Sequence, residues 1–177
     1  GTTAYMRLLT RELQKTVELV VVTGRSKTPV ELPGVRILFF SLNCASLLSL
    51  KSQFSQILKK EKPDLVHING IWTPQNWLFQ KAANQLGIKV VLSPHGMLES
   101  YILNRHPLKK KIAMLLYQDK AIRKANYLHV TAQMELNQIH RLGYKVPAFV
   151  IPNGIDLSEV KQKESLRDSI KDILFLS

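Results

Sequence analysis

The chain has 177 residues, of which 45% are hydrophobic, so it is long and apolar enough for one folded domain with a short remainder. Its single cysteine, Cys44, excludes an internal disulfide framework, and its apolar runs are too short to span a bilayer. The formal net charge of +12 favours anionic partners, namely nucleic acid, anionic lipid or phosphorylated substrates, without choosing among them.

Amphipathic segments alternate with short β-branched segments along the chain. Apolar spacing predicts helices over residues 4–15, 45–60, 77–86, 108–124 and 132–142. Buried strands are predicted over residues 17–23, 35–40, 64–68, 88–92, 127–131 and 147–151. Gly87 and Gly143 are expected to end two of the helices, and Thr131 to cap the last one. The alternation predicts an α/β fold with a Rossmann-like, doubly wound parallel sheet.

The two ends of the sequence indicate how the chain is divided. It opens on a helix preceded by Gly1, as if a strand and a glycine-rich turn came before it. Residues 157–171 are charged and resemble a linker or a solvated helix, whereas residues 172–177 (DILFLS) resemble a new strand. We therefore predict one domain over residues 1–152, then a hinge, a linker and the start of a second domain over residues 153–177.

Polar residues follow three of the predicted strands. They are His67 and Asn69 after the third strand, His95 and Gly96 after the fourth, and Asn153-Gly154 after the last. In doubly wound sheets, ligands bind at the carboxyl ends of the strands, so a ligand site is expected here. The sequence contains no cluster with the spacing of metal ligands.

Four segments, in this order and at this spacing, carry a resemblance to a known family. They are PDLVHINGIW at residues 63–72, SPHGML at 93–98, TAQMELNQIHRLG at 131–143 and IPNGID at 151–156. Together they resemble family 4 glycosyltransferases, which have two Rossmann-like domains (the GT-B fold). The resemblance covers residues 1–156, and DILFLS looks like the first strand of the family's second domain.

The resemblance implies a reaction in which a nucleotide sugar donates its sugar to an acceptor hydroxyl with retention of anomeric configuration. The acceptor would be a polysaccharide, a lipopolysaccharide or a glycolipid, and the second domain would hold the nucleotide. This chain would then supply the acceptor side and be inactive by itself. No metal or other cofactor is expected, because the nucleotide sugar acts as a co-substrate. A cytoplasmic location is expected, with the oligomeric state left open.

The resemblance also implies roles for residues at the strand ends. His95 would face the transferred sugar, where a neutral imidazole could bond a hydroxyl or stabilise an oxocarbenium-like transition state. Gly96 would let the backbone approach the ligand, and Gly1 and Thr2 would lie near the donor diphosphate. A structural histidine bonded to a loop carbonyl and a plain turn glycine are the alternatives. Asn153 and Gly154 correspond to the interdomain hinge, which is compatible with an ordinary turn.

Four further residues are candidates for contacts with the substrate. Many relatives have a second histidine where Asn69 stands, so a hydrogen bond is retained there but a titrating group is lost. Trp72 could stack on a sugar or pack at the rim of the sheet. His67 could bind substrate or simply bond to backbone, and Arg105 could line the acceptor groove.

The helix over residues 108–124 carries Lys109, Lys110 and Lys111 beside apolar residues, which fits either an anionic membrane surface or a solvated face. A nucleic-acid-binding module is an alternative function prompted by the charge, but no reading motif is present. A nucleotide-sugar 2-epimerase of the same fold is a second alternative. Its acidic residues are poorly matched by Asp64 and by the scattered Glu99 and Asp119.

Overall fold

The computed structural model describes residues 2–40 and 44–156. The helices are α1 (Thr2–Leu13), α2 (Cys44–Glu61), α3 (Pro74–Gln85), α4 (Ser100–Leu103), α5 (Pro107–Ala113), α6 (Asp119–Arg123) and α7 (Gln133–Arg141), with a π-helical turn, Met114–Gln118, between α5 and α6. The strands are β1 (Val20–Gly24), β2 (Arg36–Phe40), β3 (Leu65–Asn69), β4 (Lys89–Ser93), β5 (Tyr127–Val130) and β6 (Ala148–Val150). The predictions for Gly1 and for residues 157–177 lie outside the described residues.

All of the strand pairs are parallel, which confirms the α/β, Rossmann-like fold class. β3, β4, β5 and β6 form one sheet in that order, and β1 pairs with β2 in a second sheet. Residues 90–93 of β4 are all buried, although successive side chains point to opposite faces. Both faces of the larger sheet are therefore covered at its centre, as a doubly wound arrangement requires.

The core lies between the larger sheet and the helices that pack on it. Its buried members come from α2, α3 and α7 and from alternate positions of β3, β4 and β5. They include Leu50, Phe54, Leu58, Val66, Ile68, Ala82, Ala83, Val90, Leu92, Leu128, Val130 and Ile139. Because these residues occupy one side of each strand, the alternate residues of the same strands face the opposite side.

β1 differs from the fully buried strand that its valines predict. The last turn of α1 continues to Val17, whose N–H donates to the carbonyl oxygen of Leu13 at 3.0 Å, so the strand begins only at Val20. Val20, Val21 and Val22 are partly buried. Among the described strands, β1 pairs with β2 alone, so it has a strand on one side only and is less covered than a central strand.

The strands from β3 onward begin and end within one residue of their predicted bounds, so Asn69 and Ser93 are themselves the last residues of β3 and β4. Gly87 and Gly143 have φ of +74° and +83°, as expected where a helix ends in a left-handed residue. The prediction for Thr131 is wrong: Ala132 occupies the N-cap position of α7.

The predicted helix over residues 108–124 contains an irregularity that its sequence does not signal. Five residues in its middle, Met114–Gln118, form a π-helical turn. The short helix α4 was not predicted, since four residues are too few to show a period. No helix in the described part of the chain is both long and apolar enough to cross a membrane.

Candidate functional site

The loops that follow β3 and β4 meet at the carboxyl edge of the larger sheet. Asn69 lies opposite Ser93 in the register of the two strands. Just beyond, the N–H of Gly70 donates to the carbonyl oxygen of Ser93 at 2.8 Å. The two polar motifs of the sequence are therefore joined into one surface, as their positions after neighbouring strands predict.

His95 lies in this surface with an unusual backbone. Its φ is +53°, and the φ of Gly96 is +73°, so two consecutive residues adopt the left-handed conformation. That conformation costs a non-glycine residue free energy, and such residues are common at functional sites. The ring of His95 packs edge-on against Tyr5 of α1, with centroids 4.9 Å apart.

A side chain on β3 orients the His95 ring. His95 Nε2 lies 2.9 Å from Asn69 Oδ1. An amide oxygen can only accept, so Nε2 carries the proton and Nδ1 remains as the accepting nitrogen of the neutral ring. The structure thus brings Asn69 and His95 together, whereas the sequence indicates each of them only as a separate candidate for a substrate contact.

The imidazole of His95 is favoured in its neutral form. Burial lowers its pKa below the ordinary value, and the charge of His129 acts in the same direction. The carboxylate of Glu135 opposes them by favouring the imidazolium. Burial is the largest of these effects, so His95 at neutral pH can accept a hydrogen bond through Nδ1.

A row of three polar side chains, His67, Ser93 and His129, crosses the larger sheet beneath this surface. His67 Nε2 lies 2.7 Å from Ser93 Oγ, which lies 2.9 Å from His129 Nδ1. His129 Nε2 in turn lies 3.0 Å from the carbonyl oxygen of Ile151. The row therefore runs from β3 through β4 and β5 to the segment that enters the IPNGID motif.

The carbonyl at the end of the row fixes its protons. The carbonyl oxygen of Ile151 only accepts, so His129 must donate from Nε2. In the neutral tautomer protonated at Nε2, His129 Nδ1 accepts a hydrogen bond from the Ser93 hydroxyl. Ser93 Oγ can then accept a hydrogen bond from His67 Nε2. His67, Ser93 and His129 thus form a chain in which each hydrogen bond has one donor and one acceptor.

His67 is partly buried, and burial lowers its pKa to about 4, with smaller contributions from the charges of His129 and His95. It is therefore neutral at physiological pH. Its Nε2 is engaged with Ser93 rather than directed at a loop carbonyl. The His67 side chain therefore belongs to the hydrogen-bonded network beneath the candidate site. The alternative from sequence, a hydrogen bond from His67 to backbone, is not what the structure shows at Nε2.

Trp72 is fixed at the rim by three hydrogen bonds. Its N–H donates to Gln118 Oε1 at 2.9 Å, and its carbonyl oxygen accepts from Tyr117 Oη at 2.8 Å. Its indole Nε1 donates to the carbonyl oxygen of Met97 at 3.2 Å. Its φ of +73° is again left-handed. Because the indole N–H is already bonded, any sugar contact would have to use the face of the ring.

The remaining candidates lie apart from His95 or outside the described side chains. Arg105 is exposed just after α4, and its carbonyl oxygen accepts from Lys110 Nζ at 2.7 Å. Thr2 is the first residue of α1. Asn153 and Gly154 are exposed and belong to no helix or strand, and neither has a positive φ.

The sequence does not single out two residues of the site, His129 and Glu135. His129 is buried in β5, where it looks like an ordinary strand residue, and Glu135 was noted only as part of a motif. The signal for Glu135 was present, since it stands at the third position of a helix, where acidic side chains accept backbone N–H bonds. Within residues 2–40 and 44–156, no group of three or more His, Cys, Asp or Glu side chains could hold a metal ion.

Comparison with known proteins agrees with this architecture. A model of the family described as Glycosyltransferase Family 4 matches residues 1–159. The fold is similar to that of UDP-GlcNAc 2-epimerase from Methanocaldococcus jannaschii, with a TM-score of 0.54 at 20% identity over 77% of this chain and 46% of the other. A UDP-N-acetylglucosamine 2-epimerase gives 0.55 at 18% identity, over 84% and 44% of the two chains.

At these identities the likeness to the solved structures concerns the fold alone. The chain spans less than half the length of both of these proteins. No curated protein sequence matches the chain.

Proposed function

The chain belongs to glycosyltransferase family 4, and we propose that it is the acceptor side of a retaining glycosyltransferase. In this proposal a nucleotide sugar donates its sugar to a hydroxyl of a polysaccharide, a lipopolysaccharide or a glycolipid. The nucleotide is held by a second Rossmann-like domain outside this chain. In this proposal the nucleotide sugar is the co-substrate, and no metal ion or other cofactor takes part.

The observation that carries the proposal is the geometry of His95. It sits on a strained backbone at the carboxyl edge of the sheet, with Nε2 bonded to Asn69 and with burial favouring the neutral ring. Nδ1 can then accept a hydrogen bond from a hydroxyl of the transferred sugar. Such a contact positions the sugar while its anomeric carbon gains positive charge, without adding a cation nearby.

The same geometry bears on the epimerase alternative. Inversion at C2 by removal and return of a proton needs a general base that reaches the sugar. Glu135 is the acidic residue bonded to the His95 loop, but it is 3% exposed and both of its oxygens already accept hydrogen bonds. Glu135 is therefore unavailable as that base, and membership of the family supports sugar transfer over epimerisation. Membership of the family likewise favours a nucleotide sugar over nucleic acid as the anionic partner.

We also propose that the segment around α5 rests on an anionic membrane in the cytoplasm. Several large apolar side chains there are at least half exposed: Tyr101 (75%), Leu108 (71%), Ile112 (50%), Leu115 (82%) and Leu116 (63%). Lys109 and Lys111 are exposed beside them, whereas Lys110 turns inward to the carbonyl oxygens of Ile102 and Arg105. An apolar stripe flanked by lysines matches a lipid surface in both hydrophobicity and charge.

Product analysis by proton NMR tests the function. The chain alone should bind nucleotide sugars more weakly than about 1 mM and transfer nothing. Joined to the nucleotide-binding second domain that the proposal requires, it should form a glycoside with the donor's anomeric configuration, and His95→Ala should reduce kcat by about a hundredfold. Release of the free C2 epimer without an acceptor, or tight nucleotide-sugar binding by the chain alone, would overturn the proposal.

A further inference from the structure

We infer that Glu135 is a positioning residue that holds the His95 loop in its left-handed conformation and orients His95 toward the sugar. The inference rests on the proposed function for the meaning of His95, but its geometric basis is independent of it. Neither the sequence motifs nor the comparisons assign a role to this carboxylate.

Glu135 joins two loops at the carboxyl edge of the sheet. Oε1 accepts the backbone N–H of Gly96, which follows β4, at 2.6 Å. Oε2 accepts the backbone N–H of Thr131, which follows β5, at 2.9 Å, and the Thr131 hydroxyl at 3.2 Å. One side chain from the first turn of α7 therefore sets the relative position of both loops.

The hydrogen bond to Gly96 lies at the point where the backbone conformation is unfavourable. His95 has φ of +53° and Gly96 has φ of +73°, and a β-carbon makes the first of these unfavourable. A short hydrogen bond from a carboxylate to the N–H directly after His95 stabilises that conformation, since charge-assisted bonds are stronger than neutral ones. The carboxylate can bear this role because three donors compensate for its burial.

The charge of Glu135 also reaches the imidazole. The titratable groups facing His95 are Glu135 from α7, His129 from β5, His67 from β3 and Tyr5 from α1. Of these, Glu135 raises the pKa of His95, while burial and His129 lower it. Removing the negative charge should therefore lower the pKa of His95 further, and a purely structural brace would not have this effect.

Glu135 acts through His95 and does not meet the substrate itself. It is 3% exposed, and each of its oxygens is bonded to one of the two loops. The substitution Glu135→Gln tests this role, because it keeps the size of the side chain but removes the charge. It also turns an NH2 group toward a backbone N–H that needs an acceptor.

The experiment follows the His95 ring and the Gly96 amide by NMR in the chain of 177 residues. In Glu135→Gln we expect a lower pKa for His95 and an upfield shift of the Gly96 amide proton, which loses its carboxylate partner. Thr131→Val is the matched control: it removes the hydroxyl donor but leaves both backbone bonds, so neither signal should change. Glu135→Asp keeps the charge and should retain more of the wild-type His95 pKa than Glu135→Gln does.

Joined to the nucleotide-binding second domain that the proposed function requires, Glu135→Gln should reduce kcat by up to about a hundredfold with little change in KM, because the loss is in orientation. An unchanged His95 pKa in folded Glu135→Gln would overturn the inference, and so would an equal change in Thr131→Val. If Glu135→Gln does not fold, Glu135→Asp becomes the test, because it keeps the negative charge. A His95 pKa lowered in Glu135→Asp as far as removal of that charge predicts would overturn the inference. Should His95→Ala remain active while these NMR changes occur, the proposed function fails and the positioning role stands.

Discussion

His95 shows how a single residue gains a chemical role from its surroundings. Its own side chain could be a donor, an acceptor or a cation. Asn69 Oδ1 accepts a hydrogen bond from Nε2–H, burial disfavours the charged ring, and Glu135 supports the backbone beside it. The residue that results is a neutral acceptor at the sheet edge, which is the form that the proposed contact with a sugar hydroxyl requires.

His67 leads to a prediction about stability and pH. The pKa of His67 is about 4 in the folded chain, against 6.5 for an ordinary histidine, so the unfolded chain binds its proton first as pH falls. Stability from the neutral ring is complete above pH 6.5 and is lost as pH falls toward 4. By linkage the loss in the free energy of unfolding is on the order of 3 kcal/mol.

Urea unfolding between pH 7.5 and pH 4 measures this loss. His67→Gln keeps an N–H donor toward Ser93 but has no group to titrate, so its stability should depend less on pH than that of the wild type. His140→Gln, at an exposed position of α7, is the control and should follow the wild type. Parallel curves for wild type and His67→Gln would contradict the prediction.

At the scale of elements, the π-helical turn determines where Trp72 is held. Tyr117 and Gln118, its last two residues, bond the carbonyl oxygen and the N–H of the same residue, Trp72. The wider turn alters the angular position of the residues that follow it relative to an unbroken α-helix. The irregular helix thereby fixes the rim of the candidate site.

Gln118→Ala tests that link. Gln118 is 3% exposed, and its removal takes away the acceptor of the Trp72 N–H. We expect the free energy of unfolding to fall by about 1–3 kcal/mol, as when a donor loses its partner. Gln133→Ala, which removes an exposed contact with Asn137, should change it by less than about 0.5 kcal/mol. If urea unfolding shows the same loss of stability for Gln118→Ala and Gln133→Ala, the π-helical turn does not depend on the hydrogen bond between Gln118 and the Trp72 N–H.

The apolar face of α5 and the π-helical turn gives a prediction about lipid binding. The chain should sediment with phosphatidylglycerol vesicles at low salt, less at high salt, and not with phosphatidylcholine alone. Leu115→Glu should weaken binding by at least about tenfold, because Leu115 is 82% exposed and its burial in lipid is lost.

Met134→Glu is the matched control, since Met134 is 70% exposed but lies on α7, and it should reduce binding less than Leu115→Glu does. Gel filtration of the wild type and both variants tests whether a second copy of this chain, instead of a membrane, covers this face. If the wild type is a dimer and Leu115→Glu is a monomer, or if no vesicles are bound at low salt, the membrane proposal is wrong.

At the scale of the whole molecule, contacts distant in sequence tie the IPNGID motif to the rest of the domain. His129 bonds the carbonyl oxygen of Ile151, and Arg11 of α1 pairs with Asp156 at 2.6 Å. The proposed hinge at Asn153 and Gly154 lies between these two anchored points. The chain of hydrogen bonds through His129 and the helix α1 thus both contact the segment that contains the proposed hinge.

The fold class, the strands from β3 onward and the position of the candidate site after β3 and β4 could all be predicted from the amino-acid sequence. These follow from local patterns: periodic apolar residues define the elements, and parallel strands bring their carboxyl ends to one edge. His95 could be singled out for the same reason, because its neighbours in the chain mark the end of a strand.

The surroundings of His95, in contrast, could not be predicted before the folded structure was known. Glu135 is 39 residues from Gly96, and His129 is 36 residues from Ser93, so no window of the sequence contains either contact. The partial burial of β1 likewise depends on which strands it pairs with. Local patterns fix which faces are apolar, but the partner of a buried polar group depends on elements that meet only when the chain folds.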